Sequence, residues 1–162
     1  MPRGIRKIVR DGYELGDYPG VFRRSGAPNE RERQFLDRLL SFCPTTPKVL
    51  DMGCGTGLPI DRYLTDHGAD VTGVDVSPKH LALARANLPA ASYIEGDFSR
   101  LALPKGSFDA VVSVHAIFHI PRAEHGELFA KIARLLREGG IFLATLGTSD
   151  CDQAMRNITS GS

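Results

Sequence analysis

The chain has 162 residues, 42% of them hydrophobic and 24% charged, with a formal net charge of +1 at pH 7. That length fits one domain with a sizeable core, and the balanced charge excludes a basic footprint for nucleic acid or an anionic membrane. No apolar run approaches the roughly 20 residues of a membrane span.

Taken in chain order, residues 1–28 are rich in Gly, Arg and Tyr and show no clear period, so a loosely ordered lead-in is expected. A helix follows: Asn29 caps it, Glu32 completes a capping-box pattern, and Phe35, Leu36, Leu39 and Leu40 form one apolar face. Pro44 and Pro47 end it. Val49-Leu50-Asp51 is then a short buried strand breaking into a glycine turn, and Leu58 to His67 a helix with Pro59 in its first turn. Val71 to Val74 is a second strand. Ser77-Pro78 reads as a cap and first helical residue, and Leu81, Ala84, Arg85 and Leu88 continue that helix. Ala91 to Ile94 is a third, weaker strand and Phe108 to Val114 a strong fourth. Glu124 to Arg137 is an amphipathic helix with Leu128, Phe129, Ile132, Leu135 and Leu136 on one stripe, stopped by Glu138-Gly139-Gly140. Ile141 to Leu146 is a fifth strand, apolar enough to be covered on both faces.

Alternating strands and helices predict an α/β fold, a Rossmann-like doubly wound parallel sheet with helices on both faces. Ligands of such sheets lie beyond the carboxyl ends of the strands, so the residues just after each strand are the candidates. The first strand ends in Asp51-Met52-Gly53-Cys54-Gly55-Thr56-Gly57. Glycines let the backbone turn sharply and let a ligand approach without Cβ clashes. A dinucleotide fingerprint requires G-x-G-x-x-G, but the position three beyond Gly55 is Leu58, and the third glycine comes one residue early at Gly57. That spacing disfavours NAD or FAD, and a carboxylate beside the glycines suits an ammonium group better than two phosphates. Asp75, about twenty residues on, is placed to accept from ribose hydroxyls. Gly96-Asp97-Phe98 offers a carboxylate for an adenine amino group and a ring to cover the base.

These stations together resemble the class I S-adenosylmethionine-dependent methyltransferases. Val49 to Gly57 is similar to their first motif, Val74-Asp75-Val76-Ser77 to the acidic second, and Gly96-Asp97-Phe98 to the adenine motif. Phe108-Asp109-Ala110-Val111-Val112 resembles the fourth-strand motif, and Leu135 to Gly140 the turn before the fifth strand. The match runs over about residues 29 to 148, which sets the expected organisation: a lead-in over 1–28, an S-adenosylmethionine-binding domain over 29–148 and a polar tail over 149–162. The resemblance implies a cofactor site of Asp51, Gly53, Cys54, Gly55, Gly57, Asp75, Val76, Asp97, Phe98 and Ser113. Asp51 and the glycine backbone would lie by the methionine moiety, Asp75 on the ribose, and Val76 and Phe98 against the base. The product would be S-adenosylhomocysteine.

Methyl transfer from a sulfonium is an in-line displacement that needs alignment, no metal, and a base only where the acceptor must lose a proton. His115 and His119 follow the fourth strand and are the candidate bases, His115 the nearer to the strand end, whereas His125 is expected to be solvated. Relatives continue past the fifth strand with a helix and an antiparallel strand pair. Gly147 to Ser162 is too short and polar for that, so the usual last two strands are expected to be lacking and the fifth strand left as an edge. The expected cover is a homodimer through that edge, or the lead-in folding across it. The leading function is a small-molecule methyltransferase without nucleic-acid or membrane partners. The alternative is a truncated binding module, weak or inactive in catalysis, that self-associates; a dinucleotide oxidoreductase comes third. Cys43, Cys54 and Cys151, odd in number and unpaired in spacing, read as reduced thiols. With no secretory apolar stretch at the basic N-terminus, a cytoplasmic location is expected.

Overall fold

The computed structural model describes residues 26–114, 116–117 and 120–145. The first helix, α1 (Glu30–Phe42), starts where local chemistry asks: Asn29 accepts from the Glu32 amide at 2.8 Å, and the Glu32 carboxylate returns to the Asn29 amide at 3.1 Å. Leu36 and Leu39 are buried, but Phe35 is 48% exposed and not part of the covered face. At about 100° per residue, Phe35 lies about 90° from the centre of the Leu36–Leu39–Leu40 stripe, on the same flank as the exposed Phe42.

Strand and helix then alternate: β1 (Lys48–Met52), α2 (Ile60–Asp66), β2 (Asp70–Asp75), α3 (Pro78–Asn87), β3 (Ser92–Glu95), β4 (Phe108–Ser113), α4 (Arg122–Leu135) and β5 (Leu136–Ala144). α2 starts later than its sequence suggests, with Pro59 at the cap, because the backbone stays in turn conformation through Gly57, whose φ is +77°. Ser77 caps α3 as expected, accepting from the His80 amide with Pro78 in the first turn. Among the described residues the sheet has five strands, all parallel, in the order β3-β2-β1-β4-β5.

Period-two alternation sends β1 side chains to two cores. Leu50 and Met52 join Val111, Ile117, Leu128, Ile132 and Leu135 under α4. Val49 joins Leu36, Leu39, Ile60, Leu64, Val71 and Val112 under α1 and α2. Asp51 has the parity of Val49, so its carboxylate projects on the α2 side.

The fifth strand departs from expectation in two ways. α4 stops at Leu135, and β5 begins at once rather than after the glycines. Residues 137–140 form an irregularity within it between the Phe108–Leu136 and Ala110–Ile141 pairs. Arg137 bonds Asp109 at 3.1 Å, and Gly139 turns at φ +76°. No residue of β5 is fully buried, so it is not a strand covered on both faces. Among the described residues it pairs only with β4 and forms the sheet edge. The expectations for residues 1–25 and for the tail beyond Thr145 lie outside the described residues.

Candidate cofactor site

In strand order β3-β2-β1-β4-β5 the connection reverses direction between β1 and β4, which is where open parallel sheets place a ligand. The carboxyl ends of β1, β2 and β3 bring Asp51, Asp75 and Asp97 to one end of the sheet. The glycine turn between β1 and α2 is tied down by its own amides. Gly53 and Cys54 both donate to the Val74 carbonyl, at 2.7 and 3.0 Å, and Gly57 donates to the Cys54 carbonyl at 3.1 Å. The Gly55 amide donates to Asp75 Oδ2 at 2.8 Å. A phosphate cradle needs free amides aimed at the anion; here those amides are engaged, one of them by a carboxylate. The early third glycine therefore marks a different turn, not a displaced dinucleotide loop.

The glycines answer to different demands. A Cβ on Gly53 would fall 2.4 Å from the Ala116 Cβ and 3.8 Å from the Phe98 ring, so the segment after β4 and the Phe98 side chain both lean on this residue. A Cβ on Gly57 would meet the Tyr93 hydroxyl at 2.7 Å. Gly55 is the opposite case: φ is +58° and nothing lies within 4 Å of the Cβ position. The space beside Gly55 at the strand ends is therefore unfilled.

Around it the charges are acidic. Asp75 is buried, and beyond Gly55 it accepts from the Ser77 amide at 2.9 Å; the buried His80 ring lies 3.8 Å away. Asp51 is buried beneath the turn. Burial, then the fields of Asp61, Asp51 and Asp75, push the Cys54 thiol far above its ordinary range. Cys54 is a buried neutral thiol and not a nucleophile. Such a surrounding favours a cationic ligand.

Asp97 is half-buried and accepts from the Ser99 amide and hydroxyl, at 2.9 and 2.7 Å. Val76 is half-buried directly after Asp75. Ser113 is fully buried, and its hydroxyl donates to the Met52 carbonyl at 2.9 Å, bracing β4 against β1. The candidate bases His115 and His119 lie outside the described residues. His125 is not solvated: it is half-buried, with Nε2 2.8 Å from the Ile120 carbonyl and its ring beside Phe129.

Three residues of the site were missed in the sequence. Asp61, in the first turn of α2, is completely buried, and burial followed by the field of Asp51 raises its carboxyl well above the ordinary range. Tyr93 on β3 donates to Asp61 Oδ2 at 3.1 Å. Lys131 on α4 donates to the Phe98 carbonyl at 2.8 Å and to that of Leu101, holding the loop that carries Asp97 and Phe98. Burial draws its ammonium below the usual lysine range, with Asp97 opposing. Asp61 and Lys131 fall within helices expected from the sequence, and no local pattern singles either out.

A parallel α/β sheet with carboxylates and a glycine turn at its switch point is the architecture of a doubly wound domain. The methyltransferase-domain family profile matches residues 50–144, from β1 to the end of β5, and the chain belongs to the class I S-adenosylmethionine-dependent methyltransferase family. An uncharacterized methyltransferase of Synechocystis sp. is 39% identical over 59% of this chain and 44% of its own length. A malonyl-[acyl-carrier protein] O-methyltransferase of Enterobacter lignolyticus is 34% identical over 75% of this chain and 48% of its own. A phosphoethanolamine N-methyltransferase of Haemonchus contortus, solved with phosphomonomethylethanolamine and S-adenosylhomocysteine, superposes with a TM-score of 0.63 at 30% identity, over 79% of this chain and 32% of that one. The chain thus spans less than half the length of each of these relatives.

Proposed function

We propose that the chain binds S-adenosylmethionine at the carboxyl ends of β1, β2 and β3 and transfers its methyl group to a small-molecule acceptor. The observation that carries this reading is the glycine turn: its Gly53, Cys54, Gly55 and Gly57 amides are engaged, its Gly55 side is open, and the groups beneath it are carboxylates. That combination suits a ligand with ammonium and sulfonium charges and an uncharged nucleoside. It does not suit a pyrophosphate.

When bound, the cofactor supplies a methyl group on a positive sulfur that leaves as a neutral thioether. The residues of this chain bind and orient. Asp75 has lone pairs beyond those used by Gly55 and Ser77 for ribose hydroxyls. Phe98 and Val76 are the apolar neighbours for the base, and Asp97 its carboxylate. Asp51 serves the ammonium end. Sequence position gives the base role to His115, two residues past β4, with His119 second; it applies where the acceptor must lose a proton.

A small acceptor is supported by the Haemonchus contortus relative's phosphomonomethylethanolamine complex and by the near-neutral charge. No helix among the described residues is long and apolar enough to cross a membrane, and the reading takes the protein as cytoplasmic. It also takes the β5 edge as a pairing surface for a second copy, which sedimentation over a concentration series tests.

Calorimetry with S-adenosylhomocysteine and with NAD tests the cofactor: binding of the first and none of the second is expected, and the reverse would overturn the reading. Methyl transfer to a panel of small amines, carboxylates and phenols tests the activity, and His115→Ala is expected to slow it at neutral pH. Tight binding without transfer to any acceptor would favour a non-catalytic binding module.

A further inference from the structure

Asp61 is an unusual carboxylate. An ionised acid in the first turn of a helix ordinarily faces water and the helix dipole, yet Asp61 has no exposed surface. Tyr93 reaches Oδ2, but no N–H or O–H among the described residues faces Oδ1. The carboxyl group that acts on it most strongly is that of Asp51, which is buried as well. Two ionised carboxylates accept and cannot donate, so a hydrogen bond between them requires a proton. The groups facing Asp61 agree: Asp51 from β1, Asp75 from β2, Cys54 from the turn and Tyr93 from β3 are acidic or neutral.

We propose that Asp61 is a positioning residue for the cofactor, acting through Asp51: the pair holds one proton, and the resulting hydrogen bond fixes the Asp51 carboxylate, with its single charge, beneath the glycine turn. This rests on the cofactor reading above. Burial of Asp61 raises its carboxyl well above the ordinary range, with Asp51 adding to the effect, and Tyr93 occupies Oδ2, which leaves Oδ1 for the shared proton. The Tyr93 hydroxyl orients the acid from the other side, and Gly57 leaves it room: a Cβ there would stand 2.7 Å from that hydroxyl and 3.6 Å from Asp61 Oδ2. Asp51, Asp61, Tyr93 and Gly57 thus form one supporting layer under the open side of the turn.

Two ligands separate positioning from packing. S-adenosylhomocysteine carries the ammonium group; 5′-methylthioadenosine keeps the nucleoside and sulfur but lacks the ammonium-bearing carbons. Asp61→Asn retains a donor toward Asp51 and an acceptor for Tyr93, and is expected to bind S-adenosylhomocysteine within about twofold of the wild type. Asp61→Leu removes the donor and is expected to bind it about tenfold more weakly. Methylthioadenosine is expected to bind all three alike. Equal losses for both ligands in Asp61→Leu, or no loss for either, would overturn the proposal. Infrared spectroscopy decides the shared proton even if Asp61→Leu does not fold. The wild type at neutral pH is expected to show the carbonyl stretch of a buried protonated carboxyl, lost in Asp61→Asn; its absence from the wild type overturns the proposal. A wild type that binds neither ligand refutes the cofactor reading and the positioning role with it, while the infrared band still reports whether the pair shares a proton.

Discussion

A buried acid that keeps its proton leaves a mark on stability as well as on binding. Asp61 is held above the ordinary carboxylate range chiefly by burial and then by Asp51, with the Tyr93 hydrogen bond opposing. At pH values above that ordinary range the unfolded chain has released this proton and the folded chain has not. The folded state therefore binds more protons, and stability falls as the pH rises. The contribution is fully present below the unfolded pKa and is lost progressively toward the folded one, with a limiting slope of about 1.4 kcal/mol per pH unit. Asp61→Asn cannot ionise and is expected to remove that slope. Urea denaturation of both proteins at about pH 5 and about pH 8 measures the difference. Parallel stability profiles would mean that Asp61 ionises in the folded chain.

At the scale of elements, the loop after β3 is held from across the sheet. Lys131, on α4, reaches the carbonyls of Phe98 and Leu101. Lys131→Met keeps the stem and removes the donors, so the loop loses its tether while the α4 core of Leu128, Ile132 and Leu135 stays intact. The expected result is S-adenosylhomocysteine binding weaker by about fivefold with a stability change of about 1 kcal/mol or less, since the ammonium is half-exposed. Calorimetry and urea denaturation read the two effects separately. The same contrast explains what the sequence disclosed. Asn29 with Glu32, and Ser77 with Pro78, are contacts within one turn of chain, so their residue types announce them. Asp51, Asp75 and Asp97 follow from the short strand runs and the rule that ligands sit beyond their ends. Asp61 and Lys131 are 10 and 30 or more residues from the groups they serve, and no local pattern pairs them. Ser113 was reached through the family resemblance, but not as a donor to Met52, because that contact exists only once β4 lies beside β1. β5 misled for a related reason: its apolar composition suits cover on both faces, whereas its exposure is set by its place at the sheet edge.

For the whole molecule, the cleft depends on nearly every part of the sheet at once. Val74 on β2 holds the turn that follows β1, Tyr93 on β3 holds the acid at the start of α2, and Ser113 on β4 holds the end of β1. A ligand seated there is expected to contact residues that come together only when β1, β2, β3 and β4 are assembled in parallel, so binding is expected of the folded state alone. By mass action, S-adenosylhomocysteine at about 100 times its dissociation constant adds about 2.7 kcal/mol of stability. For a domain of this size that is a rise in melting temperature of about 5–10 °C. NAD at the same concentration is expected to give none, because the Gly53, Cys54 and Gly55 amides are already bonded to Val74 and Asp75. Melting curves with each ligand test this directly. A shift with NAD and none with S-adenosylhomocysteine would mean that the turn rearranges to free those amides, and the acidic surroundings of Gly55 would then need another explanation.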